Sequence, residues 1–290
     1  MRAITQETIQ NLNYVKIENP QIDLSHFPDF LIIGPQRTGT TWLYYNLRTH
    51  PQIFFSRPKE IFYFNLLNMP DFPRYQSNEL AWYLNFFYEN PVGYLWKNIK
   101  ALKNYQEFYK PQIRGEATAS YAAMDVEIIR DLVSLKPDIK IILMIRNPID
   151  RAWSHAKLHL LRHSNKKFAE ISEQDFNDFF NHPYNLSCGV YTKMINNWSA
   201  FLKKENFFIG FYDDIEKRPE ELLSNIFSFL GIDNDSKYNK FARAFFNATE
   251  SIKIPEKYSE LLENIFQNEI DELNQRFGLS WPIKQGSGET

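Results

Sequence analysis

Apolar residues fall along the chain in short blocks separated by turn-forming positions. Phe30–Ile33 is a four-residue apolar run ended by Gly34-Pro35, the pattern of a buried strand running into a turn. From Thr40 to Arg48 the spacing of Trp42, Leu43 and Leu47 predicts a helix, and Ile53–Phe55 a second short strand. Residues 60–110 are rich in aromatics and interrupted by loop formers, which predicts short helices. Arg114–Thr118 reads as a strand at a sheet edge and Val126–Leu135 as a helix. Lys140–Ile145 (KIILMI) is apolar and β-branched, the composition of a central parallel strand. Pro148 suits the first position of a helix running to about Leu161. A helix over Val190–Leu202, a strand over Phe207–Tyr212 and a helix over Pro219–Leu230 stopped by Gly231 follow. Tyr258, Leu261, Leu262, Ile265, Phe266, Leu273 and Phe277 mark a long amphipathic C-terminal helix.

Strands alternating with helices imply βαβ units, so the predicted fold class is α/β: one domain with a central parallel sheet flanked by helices. Crossovers should be right-handed, with ligands at the carboxyl ends of the strands. No repeat or linker breaks the chain, which divides into a polar leader (1–28), one domain (29–285) and a flexible tail (286–290).

Composition narrows the function classes. A hydrophobic fraction of 43% supports a sizeable core. With 33 basic and 35 acidic residues the chain does not fit a polybasic nucleic-acid surface, although a local basic pocket remains compatible. The single cysteine, Cys188, excludes an intrachain disulfide and a Cys-based zinc site, and fits a reducing compartment. No apolar run approaches the roughly 18 residues of a spanning helix, and the N-terminus lacks a signal-peptide core. The expectation is a cytoplasmic protein with no nucleic-acid and no membrane partner; the oligomeric state is left open.

The strongest local signal is Gly34-Pro-Gln-Arg-Thr-Gly-Thr-Thr-Trp42, placed between a strand and a helix. Backbone N–H groups and the helix N-terminus there suit a phosphate. Gly34 and Gly39 have the glycine spacing of G-x-x-x-x-G-K-[ST], but Thr40 stands in the lysine position and Arg37 is the nearest cation. An ATP- or GTP-using enzyme holds Mg²⁺ with a carboxylate at the end of a neighbouring strand. Here KIILMI ends in Arg146-Asn147-Pro148, and a cation at that place suits a second phosphate on the ligand. Ser154, eight residues on, could share it.

Gly34–Trp42 together with Ile142–Ser154 resembles the 3′-phosphoadenosine-5′-phosphosulfate (PAPS) dependent sulfotransferases, over about residues 30–285. The resemblance implies a P-loop-like nucleotide fold, PAPS as sulfuryl donor and its product PAP (adenosine 3′,5′-bisphosphate), with no metal. It places Arg37, Thr38, Gly39, Thr40, Thr41 and Trp42 at the 5′-phosphosulfate, with Trp42 offering a face to adenine. Arg146 and Ser154 fall at the 3′-phosphate, with Tyr191 a further cofactor contact. Arg37 replaces the family's usual Lys. Ser251 and Lys253 are the candidates for a closing C-terminal loop.

Lys59-Glu60-Ile-Phe-Tyr-Phe64 resembles the K-E-x-x-F-F segment of the carbohydrate sulfotransferases, whose Glu is the base, so Glu60 is the first candidate; burial among Phe62, Tyr63 and Phe64 would suit it to that work. Arg114-Gly-Glu-Ala-Thr-Ala-Ser-Tyr121 resembles that group's E-K-[ST]-P-x-Y segment. Glu116 is the second candidate base, Phe62 and Tyr121 are candidate acceptor contacts, and Ala117 replaces the family Lys. His155 and His159, at i and i+4, lie on one helix face and are read as lining the acceptor cleft rather than as metal ligands.

The function this implies is sulfuryl transfer from PAPS to a hydroxyl or amine of a small-molecule acceptor. The aromatic-rich 60–110 region and the near-neutral charge point to a neutral or cationic specialised metabolite. A glycan O-sulfotransferase is the first alternative, an atypical P-loop phosphotransferase the second, and a binding protein without turnover a further one.

Overall fold

The structure, a computed structural model, describes residues 4–244 and 252–282. Five strands form an all-parallel sheet: β1 (Phe30–Ile33), β2 (Ile53–Phe55), β3 (Ile113–Ala117), β4 (Lys140–Ile145) and β5 (Phe207–Phe211), in the order β2-β3-β1-β4-β5. β1 and β4 read as unbroken apolar runs because both sheet faces are covered. Their side chains alternate between two cores. Leu31, Ile33, Ile141, Leu143 and Ile145 enter one, and Phe30, Ile32, Ile142 and Met144 the other.

The second core is closed by the helices Thr40–Leu47 and Pro219–Leu230; the latter ends at Gly231 in the left-handed conformation, as expected. The first is closed by Val126–Leu135, Pro148–Ala156, Tyr191–Ser199 and Glu256–Phe277. The long C-terminal helix buries Tyr258, Leu262, Phe266, Ile270 and Leu273 against this face.

Three expectations change. β3 is an interior strand between β2 and β1, not an edge. An interior place is open to it because the Glu116 carboxylate finds its partners inside the protein. The helix starting at Pro148 is α-helical only to Ala156 and continues as a π-helix over Lys157–His163. Within 60–110 stands one regular helix of fifteen residues, Pro91–Tyr105, capped by Asn90, whose side chain accepts from the Gly93 N–H.

Residues preceding β1 belong to the packed unit. The N–H groups of Asn13, Tyr14 and Val15 converge on the Asp131 carboxylate at 2.7–3.1 Å, and Val15, Leu24 and Phe27 enter the core. The proposed tail at 286–290 lies outside the described residues.

Candidate active site

The segment between β1 and the Thr40–Leu47 helix folds as a tight loop at the carboxyl end of the sheet. A Cβ on Gly34 would meet the Met144 carbonyl oxygen at 2.6 Å, so β4 forces glycine there. The Thr38 hydroxyl is buried and donates to the Pro35 carbonyl at 2.9 Å, closing the loop. Arg37 is held at φ 78°, a conformation that non-glycine residues adopt at some energetic cost and that recurs at ligand sites.

From that position the Arg37 Nε donates to Ser154 Oγ at 2.8 Å, so loop and helix meet directly. Arg146, just after β4, donates to the Arg37 carbonyl at 3.4 Å, and its guanidinium lies 4.1 Å from the Tyr212 ring centroid. Burial, then the Arg146 charge, push the Arg37 pKa down. Among the described residues, no carboxylate comes within ion-pair distance of Arg146. A third guanidinium, that of Arg151, is fully buried; its Nη2 donates to the Asn185 carbonyl at 3.0 Å, whereas Nε and Nη1 lack partners among the described residues. Clustered cations beside the starts of the Thr40–Leu47 and Pro148–Ala156 helices make a strong anion site. The donor set fits a ligand carrying two phosphate groups.

Several sequence expectations are relocated. Thr40 is buried and Thr41 half-buried at the start of its helix. Trp42 is buried in the core, where its indole N–H donates to the Ala242 carbonyl at 2.8 Å, so it presents no open face for adenine. Tyr191 is fully buried near the Arg151 and Arg146 charges, with its pKa raised by burial. Ser251 lies outside the described residues, and Lys253 is exposed. The chain next to Lys253 is anchored, since the Ile252 carbonyl accepts from Trp153 Nε1 at 2.9 Å.

Glu60 sits at the same end of the sheet. Its N–H donates to the Ala117 carbonyl at 2.9 Å, past the end of β3, and its φ is 65°. One carboxylate oxygen accepts from the Ala119 N–H at 2.9 Å and the other pairs with Lys59. Its side chain is 23% exposed. The expected burial among aromatics fails because Tyr63 and Phe64 turn into the core; only Phe62, at φ 59°, stays half-buried nearby.

Glu116 is corrected from candidate base to positioning residue, because it is wholly buried. It accepts from Thr118 Oγ1 at 2.6 Å and from the Tyr83 hydroxyl. Tyr121 is likewise buried and cannot touch an acceptor; its hydroxyl accepts from the N–H groups of Tyr63 and Phe64. Thr118 Oγ1 accepts from the Ile61 N–H at 3.1 Å. This network fixes the turn that carries Glu60.

Burial raises the Glu116 pKa from 4.5 to about 7, against the lowering effect of its hydroxyl partners. Between those values the folded chain holds one more proton than the unfolded chain, so folding stability falls as pH rises through this window and levels off above about 7. Glu116→Gln should remove that fall, worth at most roughly 3 kcal/mol. Urea midpoints measured on the acidic and alkaline sides of the window check it: an unchanged slope in the variant would assign the pH dependence elsewhere.

His155 is also corrected. It is buried edge-on to Phe179, and burial, followed by the Arg151 charge, pushes its pKa down to about 3, so it is a neutral core residue. His159 packs on the same Phe179 ring. Among the described residues no group of three His, Cys, Asp or Glu is arranged to hold a metal. Sequence reading missed Gln36, whose amide donates to the Tyr184 hydroxyl at 2.6 Å, and the platform of Tyr212 under Arg146; no spacing signal marks either.

A groove of about 330 Å³ runs along the edge of β2, between the Thr40–Leu47 and Pro91–Tyr105 helices. Tyr44, Arg48, Arg57, Trp96, Lys97 and Lys100 line it. Arg57 precedes Glu60 by three residues.

A family profile described as a sulfotransferase domain matches residues 27–278. The chain belongs to the PAPS-dependent sulfotransferase family. It is similar to the membrane-associated sulfotransferase kil1 of Dictyostelium discoideum, at 31% identity over 50% of this chain and 26% of that protein. It is also similar to the human bifunctional heparan sulfate N-deacetylase/N-sulfotransferase 2, at 28% identity over 74% of this chain and 23% of that protein. The chain thus spans about a quarter of the length of these curated relatives. Among solved structures, a sulfotransferase from Alicyclobacillus acidocaldarius shares the fold with a TM-score of 0.59 and 22% identity, over 88% of this chain and 97% of that one. Mouse sulfotransferase SULT7A1, solved with PAP, matches with a TM-score of 0.52 and 18% identity, over 94% of each chain.

Proposed function

We propose that the chain transfers the sulfuryl group of PAPS to a hydroxyl or amine, with Glu60 as the general base. The observation that carries this reading is the Arg37–Ser154–Arg146 cluster on the same sheet end as Glu60. PAPS would supply the activated sulfuryl group. Arg37, Arg146, Ser154 and the loop N–H groups would hold its phosphates and the charge that develops on the bridging oxygen. Glu60 would take the acceptor proton as the new bond to sulfur forms and the bond to the 5′-phosphate breaks, releasing PAP. A cytoplasmic setting is part of this proposal; its support is the single cysteine, Cys188, which is buried.

The sequence reading favours a small-molecule acceptor, and Ala117 in place of the cleft lysine still supports it. Its preference for a cationic metabolite loses support, however. Tyr63, Phe64, Tyr83 and Phe87 are core residues rather than cavity walls, and the groove along β2, lined by Arg57 three residues before Glu60, also carries Arg48, Lys97 and Lys100. An anionic acceptor suits that groove. The same observation favours, as a second reading, an anionic carbohydrate acceptor. Incubating PAPS with a mixed pool of small phenols, alcohols, amines and anionic oligosaccharides, read by mass for one added sulfuryl group, decides between them. No transfer to any hydroxyl or amine would sink the proposal.

The phosphotransferase alternative is weakened by Arg146 where a metal-binding carboxylate is needed. Adenosine 3′,5′-bisphosphate should therefore raise the melting temperature without Mg²⁺, and ATP and AMP should do so less. Equal stabilisation by AMP would remove Arg146 and Ser154 from the 3′-phosphate.

A further inference from the structure

The Pro91–Tyr105 helix turns its more apolar face outward. Val92, Leu95, Trp96, Ile99 and Leu102 are spaced to form one helical stripe, and they are 66, 60, 60, 46 and 41% exposed. The inward face is held by Ala101 and Tyr105, and by Lys97, which pairs with Glu89 at 2.6 Å. The helix contains three lysines and no acidic residue, in a chain of net charge −2. Lys100 is exposed beside Trp96 on one flank of the stripe and Lys103 within the stripe near its C-terminal end, and exposed Phe108 and Lys110 follow the helix.

We propose that this face is an interfacial docking surface for an anionic lipid bilayer, with the helix lying in the membrane plane. A stripe of Val, Leu, Ile and Trp together with lysines has the composition of a helix that sinks its apolar side chains below the headgroups and pairs its cations with lipid phosphates. Charge selects the occupant. A second copy stacked face to face would bring Lys100 and Lys103 against the like charges of its partner, whereas an anionic bilayer neutralises them. The expectation of no membrane partner rested on the lack of a spanning run, and among the described residues no helix is long and apolar enough to cross a membrane. That criterion does not bear on a helix lying in the interface. Trp96 and Lys100 also line the groove, so docking would set the groove beside the membrane surface.

Co-sedimentation of the full chain with phosphatidylcholine vesicles, with and without phosphatidylglycerol, tests this. Binding is expected only with the anionic lipid and should weaken as salt rises. The double variant Leu95→Ser/Ile99→Ser should lower partitioning about tenfold or more, and Lys100→Glu/Lys103→Glu roughly twentyfold. Stabilisation by adenosine 3′,5′-bisphosphate at the wild-type level would show that both variants are folded. No binding to either vesicle, equal binding to both, or full binding by both variants overturns the proposal. So does concentration-dependent self-association lost in Leu95→Ser/Ile99→Ser without vesicle binding, which would assign the face to a second copy.

Discussion

Glu60→Gln is expected to lower turnover by about 10²–10⁴-fold while leaving the affinity for adenosine 3′,5′-bisphosphate within about twofold. The amide keeps the shape of the side chain, and its oxygen can still accept from the Ala119 N–H. What it loses is the ability to take a proton from the acceptor. The carboxylate suits that work because it is fixed without being sealed. The Ala119 N–H and the left-handed backbone turn orient it, and its partial exposure lets an acceptor reach it. Its other oxygen pairs with Lys59. Single-turnover measurements separate the two quantities. A variant that turned over at near-normal rates would remove Glu60 as the base. Glu116 would not inherit the role, because no acceptor can reach a wholly buried carboxylate.

Arg146→Ala should do the opposite, weakening bisphosphate binding roughly 100-fold while changing the rate at saturating donor far less; charge-assisted hydrogen bonds are worth about 1.5–3 kcal/mol. The folded protein should tolerate the change. Arg146 gives up one long bond to the Arg37 carbonyl and its contact with Tyr212, and its removal relieves repulsion with Arg37. Arg146→Lys should recover part of the affinity, since the charge returns without the planar fork. Calorimetric titration with adenosine 3′,5′-bisphosphate checks both. Unchanged affinity in the alanine variant would place the second phosphate elsewhere.

The sheet was legible in the chain because its central strands are buried on both faces and its helices begin and end on local chemistry. Phe30–Ile33 and Lys140–Ile145 stand out as apolar runs, and Pro148 and Gly231 mark helix boundaries through their own backbone preferences. The phosphate loop was legible for the same reason: Gly34 answers to a close backbone approach that only glycine permits. Strand order was not. β3, expected at an edge, lies between β2 and β1, and only the fold brings Tyr83, from 33 residues away, onto the Glu116 carboxylate.

The same distinction runs through the site. In the sequence, Arg37 stands out in the strand–helix loop, Arg146 and Ser154 after KIILMI, and Glu60 only through the resemblance of Lys59–Phe64 to a carbohydrate sulfotransferase segment. Tertiary structure decided which of the remaining candidates can meet a ligand. Tyr121, His155, Trp42 and Glu116 are polar or aromatic in the chain, but their burial is set by elements distant in sequence, and burial turned all four into supports. It decided charge placement as well. A net charge of −2 conceals both the basic groove and the lysine-bearing helix face, because total charge is a sum over residues whereas a local field depends on which of them the fold gathers on one surface.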